Sequence, residues 1–289
     1  MHPGIALRRF ALMLEPSESE IEAARGHFHT IRSRLNQALG LRRIIPIGSH
    51  ARGTAVRTYS DIDFLAVLPR QESRWGDGIV TPESFLSKVT RELRVRYTET
   101  SIRRDGQAVV LAFQGGAHAV DLVPGIFLEM HESRPIYAIP GSADKWLRTS
   151  PETHDRIFKN ANSRTGGKLG KLSKLVKAWR YGRTPAIALS SFYVDLLLAT
   201  TDIAAGVKSY SACLADFFRE ILRREARGLR DPAAIGGVIQ PVGSENARHR
   251  LQDAASYALN HAEAALTAER RRKHAEAVRQ WEIVFNQAL

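Results

Sequence analysis

The chain has 289 residues, of which 44% are hydrophobic, with one cysteine and a formal net charge of +12. This composition supports an ordinary folded core. A single cysteine excludes an intramolecular disulfide framework and any zinc site built from several cysteines. The positive charge indicates anionic partners, and nucleotides, nucleic acid and acidic surfaces all qualify.

No segment of the sequence is typical of membrane insertion. The N-terminus has basic and apolar residues but no long apolar stretch followed by a cleavage site of small residues. The most apolar run, residues 192–207, contains Asp195 and Asp202 and is too short for a membrane span. Because the lone Cys213 also fits a reducing compartment, we predict a soluble, cytoplasmic protein without a membrane partner.

The first half of the chain alternates helical and strand patterns. A helical stripe of apolar residues covers 18–39, and a short strand over 43–47 ends at Gly48. The apolar run 62–68 predicts a second, buried strand, and residues 82–95 predict a helix. These elements are typical of a mixed α/β core.

The second half of the chain is mainly helical. Before it, residues 108–113 and 117–123 predict a hairpin across Gly115-Gly116. We predict an α/β (α+β) fold, with a mixed-sheet catalytic core over 1–145 and a helical domain over 146–289. In this prediction the N-terminal helix packs on the C-terminal half.

Three aspartates and a Gly-Ser pair form the most informative pattern. Asp61 and Asp63 lie two residues apart on a predicted strand, so their side chains share a face, and such hard oxygen ligands suit Mg²⁺ or Mn²⁺. Gly48-Ser49 follows a strand, where backbone N–H groups and the hydroxyl can donate to phosphate. Asp121 is a lone charge in an apolar strand and supplies a third carboxylate. Each motif alone is common in turns and loops, but the combination predicts a metal site.

These motifs resemble those of the polymerase-β nucleotidyltransferase superfamily, which combines Gly-Ser, a spacer, Asp-x-Asp and a later strand aspartate. Residues 170–179 and 189–197 are similar to the helical half of the cyclic GMP-AMP synthase and oligoadenylate synthase group. Within that group the chain most resembles the bacterial cGAS/DncV-like nucleotidyltransferases, or CD-NTases, and 277–285 is similar to their final helix. The resemblance covers residues 20–286.

The resemblance implies a polymerase-β-like core, completed by a helical domain of the oligoadenylate synthase type that closes the nucleotide cleft. It implies that Gly48 and Ser49 hold the donor triphosphate. It further implies that Asp61, Asp63 and Asp121 are both catalytic residues and metal ligands. The cofactor would be two Mg²⁺ ions in each active site, which Mn²⁺ can replace.

Four further residues are candidates for nucleotide binding, and the resemblance implies three of them. Lys177 would neutralise the triphosphate, Ser191 would bond its terminal phosphate, and Phe192 would stack on the donor base. From the residues alone, a solvated lysine face and a core phenylalanine fit equally well. Asn160, in a predicted loop over 160–167, could read a base edge or simply cap a helix.

The implied activity is synthesis of a cyclic di- or trinucleotide second messenger from nucleoside triphosphates, ATP among them, in anti-phage defence. Nucleic acid is not required in this interpretation, and a downstream effector binds the product rather than the protein. A terminal nucleotidyltransferase acting on RNA is the first alternative, since the net charge suits a polymer acceptor. A small-molecule nucleotidyltransferase would need an acidic cleft, and a catalytically silent interaction module is disfavoured by the presence of all three carboxylates.

Overall fold

The computed structural model describes residues 1–75, 78–113, 119–141 and 145–289. Within these ranges, no helix combines the length and the apolar character that crossing a membrane requires.

Contacts divide the chain into two compact units. The sheet unit contains Pro16–Arg52 and Thr58–Asp155, and the helical unit contains Met1–Glu15, Gly53–Arg57 and Arg156–Leu289. These units differ from the division at residue 145 that the sequence suggested. The N-terminal segment and Gly53–Arg57 belong to the helical unit, while the sheet unit extends to Asp155.

The helices lie near the N-terminus and, for the most part, after residue 150. In chain order they are α1 (Pro3–Met13), α2 (Glu18–Leu39), α3 (Gly48–Arg52), α4 (Pro82–Arg96), α5 (Pro151–Arg164), α6 (Lys168–Tyr181), α7 (Ser191–Thr200), α8 (Tyr210–Arg223), α9 (Glu245–Arg270) and α10 (His274–Phe285). The strands lie mainly between residues 43 and 149. In chain order they are β1 (Arg43–Ile47), β2 (Ile62–Leu68), β3 (Arg74–Trp75), β4 (Gly78–Ile79), β5 (Ser101–Asp105), β6 (Ala108–Ala112), β7 (Val120–His131), β8 (Arg134–Pro140), β9 (Trp146–Thr149), β10 (Leu229–Arg230) and β11 (Val238–Ile239).

Helix α2 has the ends that its sequence predicts. The Ser17 side chain accepts from the Glu20 backbone N–H while the Glu20 carboxylate accepts from the Ser17 N–H, which completes a capping box. Gly40 ends the helix in the left-handed conformation at φ +60°. The helix packs against α4 inside the sheet unit. Helix α1, which was not predicted, packs against α6, α8 and α10 in the helical unit.

The main sheet is mixed, as predicted. Its strands follow the order β1-β2-β7-β6-β5, with β8 pairing to β7 and β9 to β8. The β2–β7 pair is parallel and the other pairs are antiparallel. The predicted antiparallel pairing of β6 with β7 is confirmed, and Gly115-Gly116 lies outside the described residues.

The two faces of this sheet have different cores. One face is covered by α2 and α4, whose buried residues include Ile31, Leu35, Phe85 and Val89. The other face carries a smaller cluster of Ile45, Leu65, Val67, Tyr137 and Ile139. Since side chains alternate along a strand, Asp63 and Asp121 belong to the second face.

The helical unit has one continuous apolar core. Helix α1 contributes Leu7 and Phe10, and α6 and α10 contribute the fully buried Trp179 and Trp281. From Leu172 to Trp179 every residue of α6 is buried, so this helix has core on all sides.

Candidate active site

Two of the three predicted carboxylates lie directly opposite each other on neighbouring strands. In the parallel β2–β7 pair, Asp63 is in register with Asp121. Their side chains therefore share one face of the sheet at the same height along both strands. Asp61 lies just before β2 and is exposed, so it belongs to the loop that leads into the strand.

Gly48 provides the space that Asp63 occupies. A Cβ placed on Gly48 would stand 2.0 Å from Asp63 Oδ2 and 2.6 Å from its Cγ. The backbone of Gly48 also has φ +70°, a conformation that side chains with a Cβ rarely adopt. Glycine is thus required twice here, by the backbone and by the carboxylate beside it. Ser49 follows in α3 and is buried.

The Asp121 carboxylate is half-buried, and its Oδ1 atom has no hydrogen-bond partner among the described residues. Burial and, to a smaller extent, the charges of Asp61 and Asp105 raise the pKa of Asp121 to about 6, against a lowering by Arg103. An unpartnered carboxylate close to a second carboxylate is unfavourable in free energy unless a cation lies between them.

These residues fit a divalent cation of the magnesium type. The donors are hard carboxylate oxygens from Asp61, Asp63 and Asp121, and one of them is buried without a partner in the described structure. Within the described part of the chain, no three His, Cys, Asp or Glu side chains already form a metal-binding cluster. Mg²⁺ is commonly bound through one or two carboxylates together with water and substrate phosphates, so a closed protein cage is not needed.

The short helix α3 is held in place by a buried ion pair that the sequence analysis missed. Arg52 Nη1 donates to Asp155 Oδ1 at 2.9 Å, and both side chains are almost fully buried. Because α3 begins with Gly48 and Ser49, this pair fixes the orientation of the Gly-Ser motif. The two residues are far apart in sequence, so spacing could not reveal them.

Lys177 lies in an environment that its predicted role does not suit. Its ammonium group donates to Asp195 Oδ1 at 2.9 Å, to Thr54 Oγ1 at 2.8 Å and to the Thr54 carbonyl at 3.1 Å. Asp195 also accepts from Thr54 Oγ1 at 2.9 Å and from Ser173 Oγ at 2.5 Å. An ammonium has three donors, and all three are used in the core. These contacts favour a structural role for Lys177, and its neutralisation of a triphosphate stays a prediction.

The cation beside Ser191 is Arg180. Its Nη1 atom donates to Ser191 Oγ at 3.1 Å and also to the Leu189 carbonyl. Burial lowers the pKa of Arg180, and its Nε–H has no acceptor among the described residues. Arg180 lies one helical turn after Lys177 on α6, and it was not predicted as a candidate site residue from the sequence.

The two remaining predicted nucleotide-binding residues lie in different surroundings. Phe192, in the first turn of α7, is partly buried and packs against the helical core. Asn160 is exposed on α5, which continues to Arg164, so the loop predicted from residue 160 is wrong up to that point. The capping role belongs to Asn162, whose Oδ1 accepts from the Gly170 N–H at 2.8 Å.

A mixed sheet that carries Asp63 beside Asp121, with Gly48-Ser49 at the end of the adjoining strand, defines a nucleotidyltransferase of the polymerase-β type. The chain belongs to the family of the Second Messenger Oligonucleotide or Dinucleotide Synthetase domain, whose sequence model matches residues 1–162.

Relatives and solved structures agree with this assignment. The cyclic AMP-AMP-AMP synthase of Escherichia coli (strain MS 115-1) is 24% identical over 192 residues, which cover 65% of this chain but only 59% of that protein. A probable cyclic nucleotide synthase of Bacillus cereus (strain VD146) is 22% identical over 270 residues, covering 84% of this chain and 81% of that one. The structure of E. coli MS115-1 CdnC with ATP has the same fold, with a TM-score of 0.74, 22% identity, and 99% of this chain and 98% of that chain covered.

Proposed function

We propose that this protein joins nucleoside triphosphates, ATP among them, into a cyclic di- or trinucleotide that serves as a second messenger in anti-phage defence. The observation that carries the proposal is that Asp63 and Asp121 lie in register on neighbouring strands, where Gly48 leaves room for the Asp63 carboxylate. The family and the synthases to which the chain is similar support the same activity.

In this proposal, Asp61, Asp63 and Asp121 hold two Mg²⁺ ions, for which Mn²⁺ can substitute. When bound, such ions stabilise the attacking and leaving oxygens of an in-line displacement. A ribose hydroxyl oxygen of one nucleotide bonds to the α-phosphorus of another, the bond from that phosphorus to the bridging oxygen breaks, and pyrophosphate leaves. Repetition of this step on the linear intermediate closes the ring, after two displacements in all for a dinucleotide and three for a trinucleotide.

The chain's own residues then position and neutralise the substrate. Gly48 and Ser49 present backbone N–H groups and a hydroxyl to the donor triphosphate. Asp121 would also help to activate the attacking ribose hydroxyl, since a carboxylate within hydrogen-bond reach of that hydroxyl can accept its proton. Arg180 with Ser191 replaces Lys177 as the proposed contact to the terminal phosphate. Phe192 as a base platform and Asn160 as a base reader stay predictions.

The direct test is to incubate the purified protein with the four ribonucleoside triphosphates and Mg²⁺ or Mn²⁺, without RNA, and to analyse the phosphatase-treated products by mass spectrometry. We expect a phosphatase-resistant mass of a cyclic di- or trinucleotide, and its loss when the metal is chelated. The variant Asp61→Asn/Asp63→Asn is the matched control. It should fold as the wild type does, because it removes charge repulsion, and it should make no product.

Two results would contradict the proposal. Product formation by the double variant would show that these carboxylates are not the metal ligands. Extension of added RNA, with no cyclic product from triphosphates alone, would identify a terminal nucleotidyltransferase instead.

A further inference from the structure

One line of residues crosses the sheet through the candidate site. Asp63 on β2 is in register with Asp121 on β7, Asp121 with Val110 on β6, and Val110 with Arg103 on β5. Residues directly opposite each other on paired strands project from the same face. Arg103 therefore shares the face of the two aspartates, two strand spacings or about 10 Å from Asp121.

The neighbouring Arg104 belongs to the opposite face. Its guanidinium contacts helix α4, with Nη1 at 3.2 Å from Glu83 Oε1 and 2.9 Å from Ser87 Oγ. The same strand thus carries two exposed arginines, of which only Arg103 is on the side of the carboxylates.

Electrostatics supports this placement. The pKa of Arg103 is raised by its hydrogen bond to Asp105 and, more weakly, by the charges of Asp121 and Asp61. In return, the charge of Arg103 lowers the pKa of Asp121. The guanidinium and the candidate metal-binding carboxylates are therefore within each other's field.

Arg103 is available to a ligand. Its side chain is 61% exposed, and its partner at 2.5 Å, the Asp105 carboxylate, is 62% exposed. Ion pairs of such exposure contribute little to stability, so the guanidinium can leave Asp105 for a phosphate without disturbing the fold. The planar fork of an arginine matches two phosphate oxygens at once.

The order of residues across the sheet indicates which phosphate group Arg103 would contact. Gly48 and Ser49, the proposed donor contacts, follow β1 on one side of Asp63, whereas Arg103 lies beyond Asp121 on the other side. In an in-line displacement the attacking hydroxyl lies opposite the leaving pyrophosphate. With the donor triphosphate held at Gly48 and Ser49, the acceptor nucleotide therefore lies on the side of β6 and β5. We infer that Arg103 binds a 5′-phosphate of the acceptor nucleotide, an inference that rests on the proposed function.

Arg103→Gln and Arg104→Gln are a matched pair for the test, since both remove an exposed charge from β5. The probe is ATP with a methylene group in place of the α,β-bridging oxygen, titrated calorimetrically in Mg²⁺. The wild type and Arg104→Gln should bind two molecules per chain. Arg103→Gln should keep one and bind the other about tenfold to a hundredfold more weakly, the loss expected for a charged hydrogen bond. In steady-state synthesis, Arg103→Gln should raise KM with a smaller change in kcat.

Equal binding by Arg103→Gln and the wild type would overturn the inference, as would a wild type that binds a single molecule of the analogue. The binding result is independent of turnover. A wild type that binds two analogues, with the Arg103-dependent loss, but makes no product would retain this site and reject the proposed function. Normal synthesis with an unchanged KM in Arg103→Gln would retain the function and reject the site.

Discussion

Lys177 Nζ lies 2.9 Å from Asp195 Oδ1, and neither side chain has any exposed surface. The pair also holds Thr54, whose hydroxyl and carbonyl both accept from the lysine. Thr54 belongs to Gly53–Arg57, the segment of the helical unit that joins Ser49 to Asp61 along the chain. A charge pair deep in the helical core thus fixes the backbone between the two halves of the nucleotidyltransferase motif.

Removal of one partner from this pair should destabilise the protein strongly. Lys177→Met leaves the Asp195 charge buried without its counter-ion, so we expect the free energy of unfolding to fall by about 3–5 kcal/mol. Lys171→Met, on the same helix but at a partly exposed position, should change it by less than about 0.5 kcal/mol. Urea denaturation measures both. Wild-type stability in Lys177→Met, together with weaker ATP binding, would instead restore the triphosphate role.

Alanine variants at Gly48 and Gly53 distinguish two effects, namely displacement of the Asp63 carboxylate and strain in the backbone. Both have φ near +70°, at +70° and +71°, but a Cβ on Gly53 meets no atom within 4 Å. Each alanine variant should lose about 1–2 kcal/mol of stability from the left-handed backbone. Only Gly48→Ala displaces the Asp63 carboxylate, so its kcat should fall by about 100-fold or more. Equal kcat values for the two variants would show that the position of Asp63 is unimportant.

Asp121 should make the metal-free protein less stable as pH rises. Its pKa is raised to about 6 in the folded state, whereas an unfolded aspartate titrates near 3.9. Folding therefore disfavours ionisation of Asp121. The resulting loss in the free energy of unfolding grows between about pH 4 and pH 6 and stays constant above pH 6. Asp121→Asn abolishes this penalty. Thermal melting in a chelator should show the variant more stable than the wild type above pH 6, with an advantage that disappears toward pH 4. A difference independent of pH would contradict the assignment.

Ser190 and Ser191 are neighbours with different expected roles. Ser190 caps α7 through the Tyr193 N–H at 3.3 Å, so Ser190→Ala should cost about 1 kcal/mol of stability and leave nucleotide binding unchanged. Ser191 faces Arg180 at 3.1 Å, so Ser191→Ala should weaken binding of an ATP analogue by about tenfold to a hundredfold, the loss expected for a hydrogen bond to a charged phosphate. The comparison requires both denaturation and calorimetry. Identical affinities in the two variants would remove Ser191 from the binding site.

The aspartate pattern was readable from the sequence because it is local. Strands β1 and β2 have the bounds that were predicted, and the alternation of β2 assigns Asp63 to one face without any tertiary information. The resemblance implied a later strand aspartate, but the parallel register that sets Asp121 opposite Asp63 joins distant segments and was not predicted.

The role of Lys177 could not be predicted in this way. A lysine in an amphipathic pattern is normally solvated, and its neutralisation depends on Asp195, which belongs to another helix. From Leu172 to Trp179 helix α6 is buried around its whole circumference, so Lys174 and Lys177 do not mark a polar face. Likewise, Arg103 had no visible significance because β5 was not predicted, and only strand pairing places it in line with Asp121.

Around Asp121, strand β7 is paired on both sides, with β2 along one edge and β6 along the other. Such a strand can neither slide nor tilt without breaking two ladders, so its backbone amides should be among the slowest to exchange with deuterium. The strand pairing therefore holds Asp63 and Asp121 at a fixed separation. Under the proposed function, that separation stays constant through the catalytic cycle, and substrates of different shape have to fit it.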